Sequence, residues 1–245
     1  MDFDVAFLVS TFVKLFAAVP MTLGLFACSV SLGALFALGI TYCRVSGGLV
    51  LSAFARAYVF VFRGSPLLIQ MFLIYYGLGQ FPAVRHSLFW PVLRDPFSCA
   101  VLALALCTAG YQAEIMRGGL QAVPSREIEA GRAAGMSGLL LFRRIIAPIA
   151  IRQALPAYST EIILMVKSTA LASLVTVWEV TGTAQRLISQ TYRTMEVFLV
   201  ATLIYLLINF IIVRLMALVE YRLSPHLRER PVPASGGGRQ GEVHG

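Results

Sequence analysis

The chain has 245 residues, 58% of them apolar and 13% charged, and a mean hydropathy of +0.78. A soluble globular domain carries roughly 25% charged residues, so composition excludes that class and describes a polytopic, all-α membrane protein. The formal charge of +8 does not indicate nucleic acid, because the basic residues punctuate apolar runs instead of gathering on one solvated face.

The chain opens "MDFDVAF". This start is acidic and lacks the basic n-region of a cleavable signal peptide, so the first apolar run is expected to be retained as a span. Crossing the hydrocarbon core takes ~20 mainly apolar residues. Residues 1–20 read as an interfacial lead-in, and Pro20 suits an early helical turn, which places the first span at Met21–Cys43. Four further runs follow, near 57–78, 97–116, 157–177 and 197–219. The reading is a five-helix membrane domain over 21–222 with a disordered cytoplasmic tail over 223–245, rich in Gly and Pro from Pro231. Cys28, Cys43, Cys99 and Cys107 lie in or beside apolar segments without C-x-x-C spacing. They read as packing residues, so no metal or cofactor is expected.

Basic residues flanking spans stay preferentially on the cytoplasmic side. With the N-terminus outside, thirteen of the twenty Lys and Arg fall in cytoplasmic segments and five outside, leaving Arg63 and Lys167 within spans. The expected topology is N-out and C-in, with the charged connection 117–156 in the cytoplasm.

Within that connection, "VPSREIEAGRAAGM" reads as a short helix. Pro124 blocks continuation from the preceding span, Ser125 is placed to cap, Glu127 and Glu129 suit the positive helix end, and Gly135 is a natural stop. At 3.6 residues per turn, Ala130, Ala133, Ala134 and Ser137 fall close together and leave a shallow face for a partner's backbone. The overlapping "GMSG" also matches the Gly-x-Ser-Gly pattern of intramembrane serine proteases. That reading requires a histidine base beside Ser137. His86 falls on the opposite side of the membrane, His226 and His244 fall in the tail, and Ser137 sits in an arginine-flanked cytoplasmic loop. No catalytic residue is assigned.

Glu129, Ala130, Gly135, Ile145 and Pro148 keep the spacing of the Glu-Ala-Ala, Gly and Ile-x-Leu-Pro signature of bacterial ABC importer membrane subunits. Gly131 and Ala147 stand where that family usually has Ala and Leu. "FRGSPLLIQMFLIYYGLG", "YQAEIMRGGLQAVPSREIEAGRAAGM" and "LPAYSTEIILMVKSTALAS" extend the resemblance over residues 15–222. It is to the polar amino-acid importers, notably permeases of the histidine/lysine/arginine/ornithine system and its arginine and opine relatives. The resemblance implies a type I ABC importer transmembrane domain in the bacterial inner membrane. Its cytoplasmic helix, with Glu129, Ala130, Gly131, Ala134 and Gly135, would dock into a groove of an ATPase subunit, and the chain itself would hydrolyse nothing. Implied partners are two ATPase subunits, a second permease subunit, identical or homologous, and a periplasmic amino-acid-binding protein. A stand-alone secondary transporter is the alternative. Such proteins usually contain two repeated halves, and no internal repeat is evident here.

Polar residues inside the spans supply the candidate pathway. "FRGSP" puts Arg63, Gly64 and Pro66 within the second span, where Arg63 is placed either to reach the headgroups beside a bent helix or to line a broken one. Lys167 lies near the middle of the fourth span, where a charge costs ~2.5–3.5 kcal/mol, so it should face protein or water. Glu114, Glu161, Ser168 and Thr169 are expected to contribute to one cavity for a cationic amino acid, with Lys167 near its carboxylate or paired structurally. Gly24, Cys28, Ser29, Gly33 and Ala37 form a candidate packing stripe on the first span.

Overall fold

The computed structural model describes residues 4–223. Among them every regular element is helical: α1 (Val5–Phe16), α2 (Val19–Ser46), α3 (Leu49–Gly64), α4 (Leu67–Phe72), the short α5 (Pro82–Arg85) and α6 (Trp90–Leu93), α7 (Pro96–Gln121), α8 (Ser125–Ala133), α9 (Gly138–Leu141), α10 (Ala147–Ser168), α11 (Val180–Thr191) and α12 (Thr194–Leu223). Three stretches are long and apolar enough to cross a membrane, namely Val5–Ser46, Pro96–Gln121 and Thr194–Leu223. Two bent pairs, Leu49–Gly64 with Leu67–Gln80 and Gly138–Val175 with Val180–Thr191, bring the number to five if each counts as one span.

The central helix is α7. Cys99, Ala100, Ala103, Leu104, Ala105, Cys107, Thr108 and Ala109 are all buried along it, the all-round burial expected of a helix enclosed by others. Its small residues let neighbours come close. A Cβ added at Gly33 on α2 would lie 2.4 Å from Thr108 Cγ2, and one added at Gly119 would lie 2.5 Å from the Ala150 carbonyl oxygen of α10. The buried stripe of α2 is Thr22, Leu25, Ser29, Gly33, Ala37 and Thr41. Ser29, Gly33 and Ala37 thus belong to the expected stripe, whereas Cys28 is exposed; the helix buries positions three or four apart, and Cys28 falls off that line.

Most of the segment expected as an interfacial lead-in before Met21 is helical. Asp4 accepts from the Ala6 and Phe7 amides at 3.1 and 3.2 Å. Leu15 is fully buried in an apolar cluster shared with α10, α11 and α12, including Ile162, Val180, Leu187, Val197 and Ile204. The stretch Val5–Ser46 passes as one candidate span. Large apolar side chains remain on the outside, among them Leu35, Leu49, Phe60, Leu203 and Phe210, as lipid contact requires.

The second span is broken. Its halves meet at 104°, because Ser65 and Pro66 are both extended and proline supplies no amide to continue the ladder. Gln70 satisfies the freed groups: its Nε2 donates to the Phe62 carbonyl at 2.9 Å, the Ser65 carbonyl at 3.0 Å and Ser65 Oγ at 2.9 Å. In the fourth span, Pro148 falls in the first turn of α10 and follows a π-helical turn, Phe142–Ile146. Pro156 lies inside the helix without ending it. At its far end the chain passes through a 3-10 segment, Thr169–Val175, and bends by 46° into α11.

Candidate functional site

The charged connection forms α8 and a sharp reversal. Pro124 (φ −63°, ψ 135°) holds the N-cap position and Ser125 is the first helical residue, with no side-chain cap. Ser125 therefore does not cap as the sequence suggests; the extended proline has taken that place. Gly135 stops the helix with φ +80°, a conformation glycine adopts without a Cβ penalty. The Gly135 and Met136 amides donate back to Arg132 and Gly131 carbonyls at 2.9 and 3.0 Å.

The two faces of α8 differ. Glu129, Ala130, Ala133 and Ala134, with Gly135 just beyond, are exposed, while Gly131 is the helix's buried residue. A Cβ at Gly131 would lie 2.6 Å from Leu141 Cδ1 and 3.3 Å from Ile145 Cγ1. Gly131 thus seats α8 on the segment leading into α10 and does not join the open face. Ser137 is not on that face either, because its backbone is extended at φ −142° and ψ 164°, past the turn at Gly135. Its side chain is exposed, and His226 and His244 lie outside the described residues.

The four residues expected to contribute to one cavity, and Lys167 expected near a ligand carboxylate or paired structurally, have separate partners. Glu161, 9% exposed, accepts from Thr108 Oγ1 at 2.7 Å, and Gln112 Nε2 approaches Thr108 Oγ1 at 3.4 Å. Glu114 is held instead by Arg44 at 2.9 Å and by Arg117 at 2.7 Å. Lys167 is exposed and lines a separate pocket of about 430 Å³ with Thr181, Tyr205 and Asn209 of α11 and α12. Ser168 and Thr169 donate to their own helix, to the Leu164 carbonyl at 3.0 Å and the Val166 carbonyl at 2.7 Å. Helical geometry accounts for the separation: Glu161 and Lys167 point about 120° apart, and Glu114 likewise lies about 120° around α7 from the Thr108 that meets Glu161.

Arg63 lies in the last turn of α3, its guanidinium 5.0 Å from the Tyr111 ring centroid, the geometry of a cation–π contact. Gly64 follows it directly, and a Cβ there meets nothing within 4 Å. Pro66 makes the break described above.

Two polar arrangements escape sequence reading. Glu179 is fully buried; it accepts from the Gly182 amide at 2.8 Å and the Tyr205 hydroxyl at 2.6 Å, and so fastens the start of α11 to α12. The Tyr205 hydroxyl also meets Thr181 Oγ1 at 3.0 Å. The second arrangement is the pairing of Thr108 with Glu161. Glu161 is legible as an intramembrane charge but Thr108 is not, so only the approach of α7 to α10 reveals the pairing.

The family model for the binding-protein-dependent transport system inner membrane component matches residues 29–225. The octopine transport system permease protein OccM of Rhizobium radiobacter is 54% identical over 244 residues, covering 100% of both chains. The histidine/lysine/arginine/ornithine transport system permease protein HisM of Salmonella typhimurium is 38% identical over 216 residues, 88% of this chain and 92% of that protein. A crystal structure of an amino acid ABC transporter with histidines matches with a TM-score of 0.80 at 33% identity, covering 91% of this chain and 100% of that one. With a family match over most of its length and full-length relatives of this kind, the chain belongs to the binding-protein-dependent transport system inner membrane component family, as a non-catalytic permease subunit of the ABC amino-acid type.

Proposed function

We propose that this chain is the permease subunit of an ATP-driven importer for basic amino acids or opines, lying N-out and C-in in the bacterial inner membrane. Two ATPase subunits, a second permease subunit and a periplasmic binding protein complete the machine. The observation that carries the coupling role is the asymmetry of α8: a shallow exposed face of Glu129, Ala130, Ala133, Ala134 and Gly135, backed by a glycine seated on Leu141 and Ile145.

That asymmetry suits a mechanical part. A push on the open face passes through Gly131 to Leu141 and Ile145, through the turn Phe142–Ile146, and into α10. The helix α10 carries Glu161 against Thr108 of α7, and the close approach at Gly119 makes the two helices move as packed bodies. Movement at α8 thereby reaches the intramembrane carboxylate without any chemistry in this chain. Glu161 is the proposed contact for the cationic end of the substrate, and Lys167, with its pocket open beside α12, the proposed contact for a carboxylate. Glu114, Ser168 and Thr169 take secondary places in the pathway, the first bound by two arginines and the others by their own helix.

The test is copurification from native membrane. Glu129→Arg on the open face should release the ATPase partner while the permease stays folded and inserted. Retention of a stable, stimulable ATPase by that variant would remove the basis for the coupling role.

A further inference from the structure

We propose that the cleft between α3 and the adjoining ends of α2 and α7 is an anion site that holds the phosphodiester headgroup of an acidic phospholipid. Spacing on α3 puts Arg56, Phe60, Arg63 and Gly64 on one face. Opposite stand Arg44 of α2 and Tyr111 and Glu114 of α7, enclosing about 570 Å³.

The charges in this cleft do not balance. Glu114 is its one lining carboxylate, and it already accepts from both Arg44 and Arg117. Arg56 donates to Ser52 Oγ at 3.0 Å, and Arg63 lies over the Tyr111 ring. Among the described residues neither has a carboxylate within ion-pair distance. Two guanidinium groups thus face one opening with donors to spare, and their planar forks match the oxygens of a phosphate or carboxylate.

The walls favour a lipid over a free solute. Phe60 lines the cleft with Val59 and is 80% exposed, and further round the same helix, outside the cleft, Val50, Phe54 and Val61 continue the apolar surface at 79%, 72% and 54% exposure. An acyl chain can lie along such side chains while the headgroup sits among the arginines. On the orientation proposed above, Arg44 marks the cytoplasmic end of α2. Basic pockets between helices on that side bind acidic headgroups.

The complete transporter, with its ATPase partner, is placed in nanodiscs of equal phosphatidylglycerol and phosphatidylethanolamine, and the lipids it retains on detergent extraction are read by native mass spectrometry. Wild type should retain phosphatidylglycerol preferentially, and the preference should fall by roughly fivefold for each arginine lost in Arg56→Gln and Arg63→Gln. Arg143→Gln with Arg144→Gln, outside the cleft, should leave it unchanged. If the cleft variants do not fold, a photoactivatable phosphatidylglycerol on wild type decides the question: adducts should fall on residues 44–64 or 111–117. Equal retention of both lipids by wild type, adducts elsewhere, or displacement of the bound lipid by millimolar octopine or arginine would overturn the proposal, the last result assigning the cleft to a solute carboxylate.

Discussion

The contact of α2 with α7 makes a quantitative demand on one residue. Gly33→Ala adds a methyl 2.4 Å from Thr108 Cγ2 and 3.2 Å from the Ala105 carbonyl oxygen, where carbon atoms otherwise rest at about 3.5–4.0 Å. The backbone oxygen cannot rotate away, so the helices must part or Thr108 must move. Overpacking of this kind costs about 1–3 kcal/mol. A displaced Thr108 also weakens its 2.7 Å bond to Glu161, and a hydrogen bond to a charged group contributes about 1.5–3 kcal/mol. Together the loss is at most roughly 2.5–6 kcal/mol, a fall in melting temperature on the order of 10 °C for a domain of this size. The assay is thermal unfolding in detergent followed by a thiol-reactive dye, which the buried Cys99 and Cys107 report on exposure. Gly39→Ala is the control on the same helix, since an added Cβ there meets nothing within 4 Å, and better helix propensity should make it neutral or slightly stabilising. Equal melting temperatures for the two variants would refute the close-approach reasoning.

Other outcomes follow from single sites. Glu161→Gln should lower uptake of arginine or octopine by at least about tenfold, since it removes a buried charge-assisted contact, with the subunits still assembling. Glu114→Gln should lower uptake less, because that carboxylate is already engaged by Arg44 and Arg117; normal uptake in both variants would dismiss the pathway. Glu179→Ala strands the Gly182 amide and leaves the Tyr205 hydroxyl with Thr181 Oγ1, and should lower stability by about 1–3 kcal/mol for the buried amide and somewhat more for the weakened hydroxyl, while Glu179→Gln should lose less; calorimetry in detergent separates them. Asp95 caps α7 through Ser98, whose side chain and amide hold its carboxyl below the usual range. A depressed folded-state pKa gives stability that is present above the ordinary value of 3.8 and lost as pH falls through the folded one. Acid unfolding below about pH 4 should therefore be shallower in Asp95→Asn.

The long spans were legible because an apolar run of sufficient length has few alternatives in a membrane protein. Phe97–Met116 and Val197–Val219 sit inside α7 and α12, and Gly135 stops α8 as its residue type suggests. Within the lead-in over 1–20, Lys14 is legible as a charge, whereas the burial of Leu15 beside it against α10, α11 and α12 is not. A charge in sequence does not reveal a tertiary partner. The separate partners of Glu114, Glu161, Ser168 and Thr169 were not legible for a related reason: a hydroxyl on a membrane helix bonds its own i−4 or i−3 carbonyl unless a neighbour intervenes. Glu179 and Gln70 were passed over because capping a bend or a broken helix matters only once the bend is known. Gly131, read as a departure from the family's usual Ala, is the residue on which α8 rests.

The central claim is that this chain transports only when a partner ATPase acts on α8. Uptake of radiolabelled arginine and octopine into proteoliposomes holding the complete transporter and its binding protein, with and without enclosed ATP, tests it most directly. The account predicts uptake that requires ATP and is lost in Glu129→Arg, though that chain melts at the wild-type temperature. Uptake that continues without ATP, or that Glu129→Arg leaves intact, would contradict it.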